Sequence, residues 1–123
     1  REAFRAMAVL AAALPGMPLI YGGQEAFFEK RLKFFEKDPI TWRQWPLAGL
    51  YTRLLQLKKS QPALGNGLEG GTLEWLPSGN EAVLAFRRQR GARQVNVAVN
   101  LSATPQTGAG QKLAAWGWHI DSN

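Results

Sequence analysis

The sequence predicts an α+β chain in the order helix, buried strand, long loop, helix, antiparallel sheet. Three observations carry that prediction. Apolar residues recur at helical spacing in two stretches: Phe4, Met7, Ala8, Ala11 and Leu14, then Leu47, Leu50, Tyr51, Leu54 and Leu57. Between them Met17-Pro18-Leu19-Ile20-Tyr21 is continuously apolar, the pattern of a strand covered on both faces. After Pro62 the period falls from 3.6 to 2, the period of strands with one wet face.

Taken in order, residues 2–14 read as an Ala-rich helix closed by Pro15-Gly16. Met17–Tyr21 then reads as the buried strand, ending abruptly in Gly22-Gly23-Gln24-Glu25. The loop from Gly22 to about Trp45 is long for a compact domain, with a helical turn expected within Ala26–Phe35 and a break at Asp38-Pro39. Pro46 suits a first helical position, and the second helix stops near Ser60, before Pro62. Gly65-Asn66-Gly67 and Gly70-Gly71 are turn material. Thr72–Leu76 and Ala82–Arg88 read as strands about a Pro77–Asn80 turn. Gln94–Leu101 follows, with Val95, Val97, Val99 and Leu101 on one face, and Trp116, Trp118 and Ile120 alternate in a last strand. The first half thus offers one buried strand without a partner, so its partners are expected outside this chain.

The 123 residues suffice for one domain or two small pieces, divided here as 1–64 and 65–123. There is no cysteine, which excludes disulfides and thiolate metal sites and leaves the compartment open. The net charge of +6 is uneven: residues 1–61 carry ten Lys/Arg against five Asp/Glu, and residues 62–123 five against four. A nucleic-acid partner is not expected. Lys30, Arg31, Lys33 and Lys37 are interleaved with Glu29, Glu36 and Asp38, and Arg87, Arg88, Arg90 and Arg93 crowd a hairpin tip without aromatic platforms. Arg1, Arg5 and the run Met7–Leu14 mimic a signal peptide, but no Met precedes them and the apolar run continues past Pro15-Gly16. No run approaches the ~20 residues of a membrane span, so no membrane partner is expected. The start at Arg1 suggests a chain cut from a longer one, and where that parent resides stays open.

The residues Leu14 to Glu25, LPGMPLIYGGQE, resemble the segment entering and forming the last barrel strand of the alpha-amylase family of glycoside hydrolases. The run Lys30 to Trp42, KRLKFFEKDPITW, resembles the loop after it, and Leu50 to Leu64, LYTRLLQLKKSQPAL, the last barrel helix. From about Gly71 onward, including Val97 to Ser102, the chain resembles the family's C-terminal β-sandwich. The resemblance implies the terminal βα unit of a (β/α)8 barrel followed by a small antiparallel β-sandwich. It also places the apolar start inside a domain. Barrel strands lie between an inner core and an outer helix ring and carry chemistry at their C-terminal ends, which fits an apolar run that turns polar at Gly22. A helix here, or a bare loop, would remove that physical footing.

The family cleaves or transfers α-glucosidic bonds with retention, which requires two carboxyl groups ~5–5.5 Å apart. The resemblance puts these on strands that would precede Arg1, so no residue here is assigned a catalytic role, and the chain alone is expected to be inactive. Gln24 and Glu25 are the candidate substrate-binding residues; each either lines the sugar cleft or holds neighbouring groups structurally. Asp38 either caps a turn or meets substrate. Trp116 is the candidate sugar-stacking ring, whereas Trp75 and Trp118 are expected in core or interdomain packing. His119 is the only histidine, no metal site or cofactor is expected, and calcium use by the parent is undetermined. Gly22-Gly23 lacks the sequel of a phosphate loop, and Asn100-Leu101-Ser102 is a glycosylation triplet at a poor place for an acceptor.

The leading reading is therefore the C-terminal portion of an alpha-amylase-like enzyme acting on starch-type glucans, with the rest of the barrel as its partner. The chain alone is expected to self-associate through its apolar strand. The competing readings are an autonomous α-glucan-binding β module and a structural domain docking a partner through its basic face. Exposed, coplanar Trp116 and Trp75 would favour the module, and buried ones the scaffold.

Overall fold

In the computed structural model, which describes residues 2–40, 42 and 44–123, helix α1 spans Glu2–Ala13. Arg1, on which the reading of the chain start falls, and Thr41, within the quoted loop motif, lie outside the described residues, as does Arg43. The buried face of α1 is mostly alanine (Ala6, Ala8, Ala12 and Ala13, with Val9 and Leu10), and side chains this short let the helix lie close to its neighbours. Helix α2, Ala48–Ser60, packs beside it through Leu50 and Leu54. Leu47, just before the first turn, is fully enclosed, and Tyr51 and Leu57 complete the stripe as half-buried flanks.

The two helices cover one face of a four-stranded antiparallel sheet of β1 (Thr72–Trp75), β2 (Val83–Arg90), β3 (Arg93–Asn100) and β6 (Trp118–Ser122), in that spatial order. Val95, Val97 and Val99 of β3 and Phe86 of β2 point inward and share one core with Val9, Leu50, Leu54 and Leu64. That core draws on both sides of residue 64. A hairpin of β4 (Gln106–Gly108) and β5 (Gln111–Leu113) lies on the opposite face, where Val83, Ala98 and Leu113 form a second small cluster. The chain is thus a small α+β fold with antiparallel sheets, consistent with a β-sandwich.

Arg88 ties the layers together. It is 1% exposed and donates to four backbone carbonyls: Ala13 at 2.9 Å, Thr72 at 3.1 Å, Gly71 at 3.2 Å and Gly65 at 3.3 Å. Burial pushes its pKa down from the ordinary value. Lys58 reinforces the same corner, donating to Leu64 O at 2.8 Å and Ala12 O at 3.4 Å, and burial followed by the nearby Arg88 charge lowers its pKa. Ala12 and Ala13 end α1, where free carbonyls need donors and the helix dipole favours cations.

Several expectations require correction. Met17–Tyr21 forms no strand. Pro18 and Ile20 lean on α1 and α2, but Met17 and Leu19 are 81% and 86% exposed, so one side of the segment is bare. The four-stranded sheet lies on the far side of the helices and offers the segment no ladder, so the burial argument from its apolar run finds no support within this chain. The expected helical turn over Ala26–Phe35 is instead a 3-10 turn at Gln24–Ala26, stopped by Phe27 in the left-handed region (φ 57°). Pro46 lies before α2 rather than in it, because Leu47 N–H is drawn to Glu25 O and the helix begins at Ala48. Leu76 follows β1 but keeps a bond from its N–H to Ala85 O. Leu101 falls outside β3 and is exposed. The β4–β5 hairpin is absent from the sequence reading; its Ala109-Gly110 turn has both residues at positive φ (52° and 74°), the geometry of a tight two-residue hairpin without its usual Asn-Gly signal.

Candidate functional site

The sequence nominates the end of the apolar segment, and there the backbone turns sharply. Gly23 has φ 98°, and a Cβ on it would sit 2.8 Å from Phe28 Cβ, so only glycine fits this bend. Gln24 closes the turn with its side-chain oxygen, which accepts the Tyr21 N–H at 2.5 Å. Its side chain also borders a cavity of about 370 Å³ between Phe4 of α1 and the Phe27–Glu29 strand of loop. The Phe4 and Phe27 rings, which both line it, meet with centroids 5.5 Å apart and planes tilted by 58°.

Glu25 links this turn to α2. Its carbonyl accepts the Leu47 N–H at 3.2 Å. One carboxylate oxygen, Oε2, is buried and meets no donor among the described residues. The Tyr51 hydroxyl feels that carboxylate: burial first, and the Glu25 charge second, push its pKa above the ordinary value. A buried acceptor without a donor costs ~1–3 kcal/mol.

The loop that follows is stapled at its neck. Asp38 accepts Lys30 Nζ at 2.7 Å and the Lys33 N–H at 3.0 Å, and these two bonds hold its carboxyl below the usual carboxylate range. That is a structural role for Asp38. Phe34 and Phe35 meet edge to face at 4.7 Å at the exposed tip. Farther on, Trp42 and Trp45 stack at 4.9 Å with an interplanar angle of 20°, both half open to solvent. Neither aromatic pair follows from residue spacing alone, because loops carry no periodicity.

Trp116 stands elsewhere, in the turn before β6, with φ 55° and its N–H on Ser102 O. Its ring is half-buried against the main core. Trp118 shares that packing, whereas Trp75 is 57% exposed and touches Phe86 edge on at 5.8 Å, so of the expected core or interdomain packing Trp75 does not take the first within this chain. Asn100 is fully buried, and its amide donates to Thr104 O and Ala114 O at 2.8 and 2.9 Å, which leaves no nitrogen for a glycan. The four arginines of the hairpin have separate partners: Arg87 meets Asn96, Arg88 the carbonyl cage, Arg90 Glu69 and Arg93 the carbonyl of Asn123. Among the described residues no group of three or more His, Asp or Glu is placed to hold a metal ion, and no helix is long and apolar enough to cross a membrane.

No family model matches the chain, and no curated protein matches it. Among solved structures the chain is similar to a maltogenic amylase from S. marinus, with a TM-score of 0.76 and 22% identity. The match covers 99% of this chain and 19% of that one, so the chain spans about a fifth of that protein's length. At this identity the likeness is one of fold.

Proposed function

We propose that the chain is the C-terminal portion of an alpha-amylase-like glycoside hydrolase acting on starch-type glucans. In this reading residues 1–64 supply the last strand and helix of a (β/α)8 barrel, and residues 65–123 form the β domain that braces it. The observation that carries the reading is the fold likeness to a maltogenic amylase over nearly all of the chain. Segment 17–21 does not add to it: the segment is a loop with Met17, Leu19 and Tyr21 exposed rather than a covered strand, so the reading rests on the fold likeness and the resemblance of the sequence.

On this reading the chain contributes scaffold and cleft wall, and the paired carboxylates of a retaining mechanism belong to other strands. Glu25, whose buried Oε2 meets no donor among the described residues, receives one from the completed cleft, either a sugar hydroxyl or a neighbouring side chain. The chain alone is expected to release no reducing sugar from starch. The test is the coding sequence upstream of Arg1. Barrel strands bearing two carboxylates at the expected strand ends would support the proposal, and an unrelated domain there would end it.

A second reading, an α-glucan-binding β module, draws on the exposed ring of Trp75. It lacks the two-ring platform it requires, because Trp116 is turned against the core. Isothermal titration with maltooligosaccharides separates the two readings: heat lost on Trp75→Ala favours the module, and no heat at millimolar ligand removes it.

A further inference from the structure

The turn between α2 and β1 carries a dipeptide that the barrel reading leaves unused. Asn66 and Gly67 are adjacent and both exposed, and the chain bends through Gly67 at φ 60°. Among the described residues no hydrogen bond engages the Asn66 side chain or the Gly67 N–H. The other asparagines are tied down. Asn80 donates to Gln106 Oε1 and accepts the Ala82 N–H, and Asn96 accepts Arg87 Nε. Asn100 donates to two carbonyls, and Asn123 donates to Ala92 O. Only Asn66 is followed by glycine.

We propose that Asn66 is a site of spontaneous self-modification, at which the chain converts to a mixture of aspartate and isoaspartate. The Gly67 amide nitrogen gives its proton to water and bonds to Asn66 Cγ. The side-chain nitrogen leaves that carbon as ammonia, taking up a proton from water, and a cyclic imide remains. Water then opens the imide. Cleavage at Cγ restores the main chain with aspartate at 66, and cleavage at the Asn66 carbonyl carbon leaves isoaspartate, whose main chain runs through Cβ and Cγ. Water is the only co-reactant, and nothing is oxidised or reduced. Asparagine is a chemically labile residue, and glycine after it removes the side chain that would crowd the attacking nitrogen. Nothing lies within 4 Å of where a Gly67 Cβ would stand, so no neighbour blocks the ring.

The position gives this chemistry a structural effect. Gly65 O, just before Asn66, accepts Arg88 Nη2 at 3.3 Å. The turn also closes tightly on itself, since a Cβ on Gly70 would meet Gly65 O at 2.3 Å. Isoaspartate inserts a methylene carbon, about 1.5 Å of extra chain, into this closed turn and draws Gly65 O away from Arg88. Aspartate keeps the main-chain length. Its carboxylate enters the hollow that Asn66 shares with Lys58 and Lys59, where two ammonium groups favour it. One product therefore loosens the Arg88 corner and the other does not.

The test is ageing of the full 123-residue chain in mildly alkaline buffer, with trypsin digestion and mass spectrometry at intervals. The tryptic peptide from Ser60 to Arg87 holds both Asn66 and Asn80, so the hydrogen-bonded Asn80 is an internal control. The expected result is the mass gain of an amide-to-acid exchange, growing with time, localised to residue 66 by fragmentation and split into two chromatographic peaks. It should be lost in Asn66→Gln and slowed severalfold in Gly67→Ala. The aged chain should also unfold at lower urea than Asn66→Asp, which supplies the aspartate product alone. No gain at Asn66 in the time a free peptide of residues 63–70 converts, or an equal gain at Asn80, would overturn the site. An aged chain as stable as Asn66→Asp would overturn its link to Arg88. None of these readouts bears on the barrel proposal, which is decided by the upstream sequence.

Discussion

Replacing Arg88 is the sharpest probe of how this chain is held together. Arg88→Met keeps most of the aliphatic stem and removes all four donor contacts. A net hydrogen bond is worth ~1 kcal/mol, more when one partner is charged, and a buried carbonyl left without a donor costs ~1–3 kcal/mol. The bonds to Ala13 and Thr72 are short and count in full, whereas those to Gly71 and Gly65 at 3.2 and 3.3 Å count for less. Against their loss stands the relief of no longer burying a cation. The balance is a destabilisation of about 3 kcal/mol, a large share of the roughly 6–18 kcal/mol expected for a chain of this length. Arg90→Ala is the matched control: its contact with Glu69 at 2.8 Å joins two exposed side chains and is expected to contribute under ~0.5 kcal/mol. Urea denaturation followed by circular dichroism reads both, and the midpoint should fall for Arg88→Met with the slope unchanged. If Arg88→Met were as stable as the parent chain, or moved no more than Arg90→Ala, the carbonyl cage would not be the tie that joins α1 to the sheet.

Further outcomes follow from single contacts. A Cβ on Gly71 would lie 2.4 Å from Ala63 O and 2.8 Å from Gln89 O, both backbone, so Gly71→Ala should cost ~2–3 kcal/mol in the same denaturation. Gly49, inside α2 with open space around its Cα, is the opposite case, and Gly49→Ala should stabilise by ~0.5–1 kcal/mol. Asp38 has a lowered pKa when folded, so its contribution is present above the ordinary value near 3.9 and is lost as pH falls through the lowered one. Protection of the Lys33 amide in hydrogen exchange should therefore persist at pH ~4 and disappear only in stronger acid; a midpoint at or above the ordinary carboxylate value would refute the staple.

How far the fold was legible depended on whether a residue's environment lay within the chain. The stripe of α2 and the Val95–Val97–Val99 face of β3 were readable because the surfaces that bury them are supplied by neighbouring elements here. Met17–Tyr21, a continuous apolar run without either period, forms a largely exposed loop instead, since an apolar run alone does not supply strands to pair with. The Gln24 turn and the Glu25 carbonyl tie to Leu47 rest on a left-handed glycine and one long-range bond, neither of which leaves a repeating pattern. The polar row on the outer face of the sheet was hidden for a related reason: Glu74, Arg87, Asn96 and Asp121 become neighbours only once the register of four strands is fixed. In sequence they are four scattered polar residues, and Arg87 was grouped with arginines from which the fold separates it.

The separation of the core from the bare segment has a consequence that can be measured. None of Met17, Leu19 or Tyr21 belongs to the main core cluster, so changing them should leave folding nearly intact. Covering a large apolar side chain is worth ~1.5–3 kcal/mol, so a symmetric dimer that buries these three from each copy gains roughly 10 kcal/mol, and an association cost of ~4 kcal/mol or more leaves about 6 kcal/mol at best, a dissociation constant of tens of micromolar or weaker. The chain alone should therefore show concentration-dependent self-association in sedimentation velocity. Leu19→Lys should shift it toward monomer while changing the denaturation midpoint little. Were Leu19→Lys to unfold the chain instead, the segment would be part of the fold rather than a surface awaiting a partner. A chain that stayed monomeric without any substitution would show that its exposed side chains do not drive association.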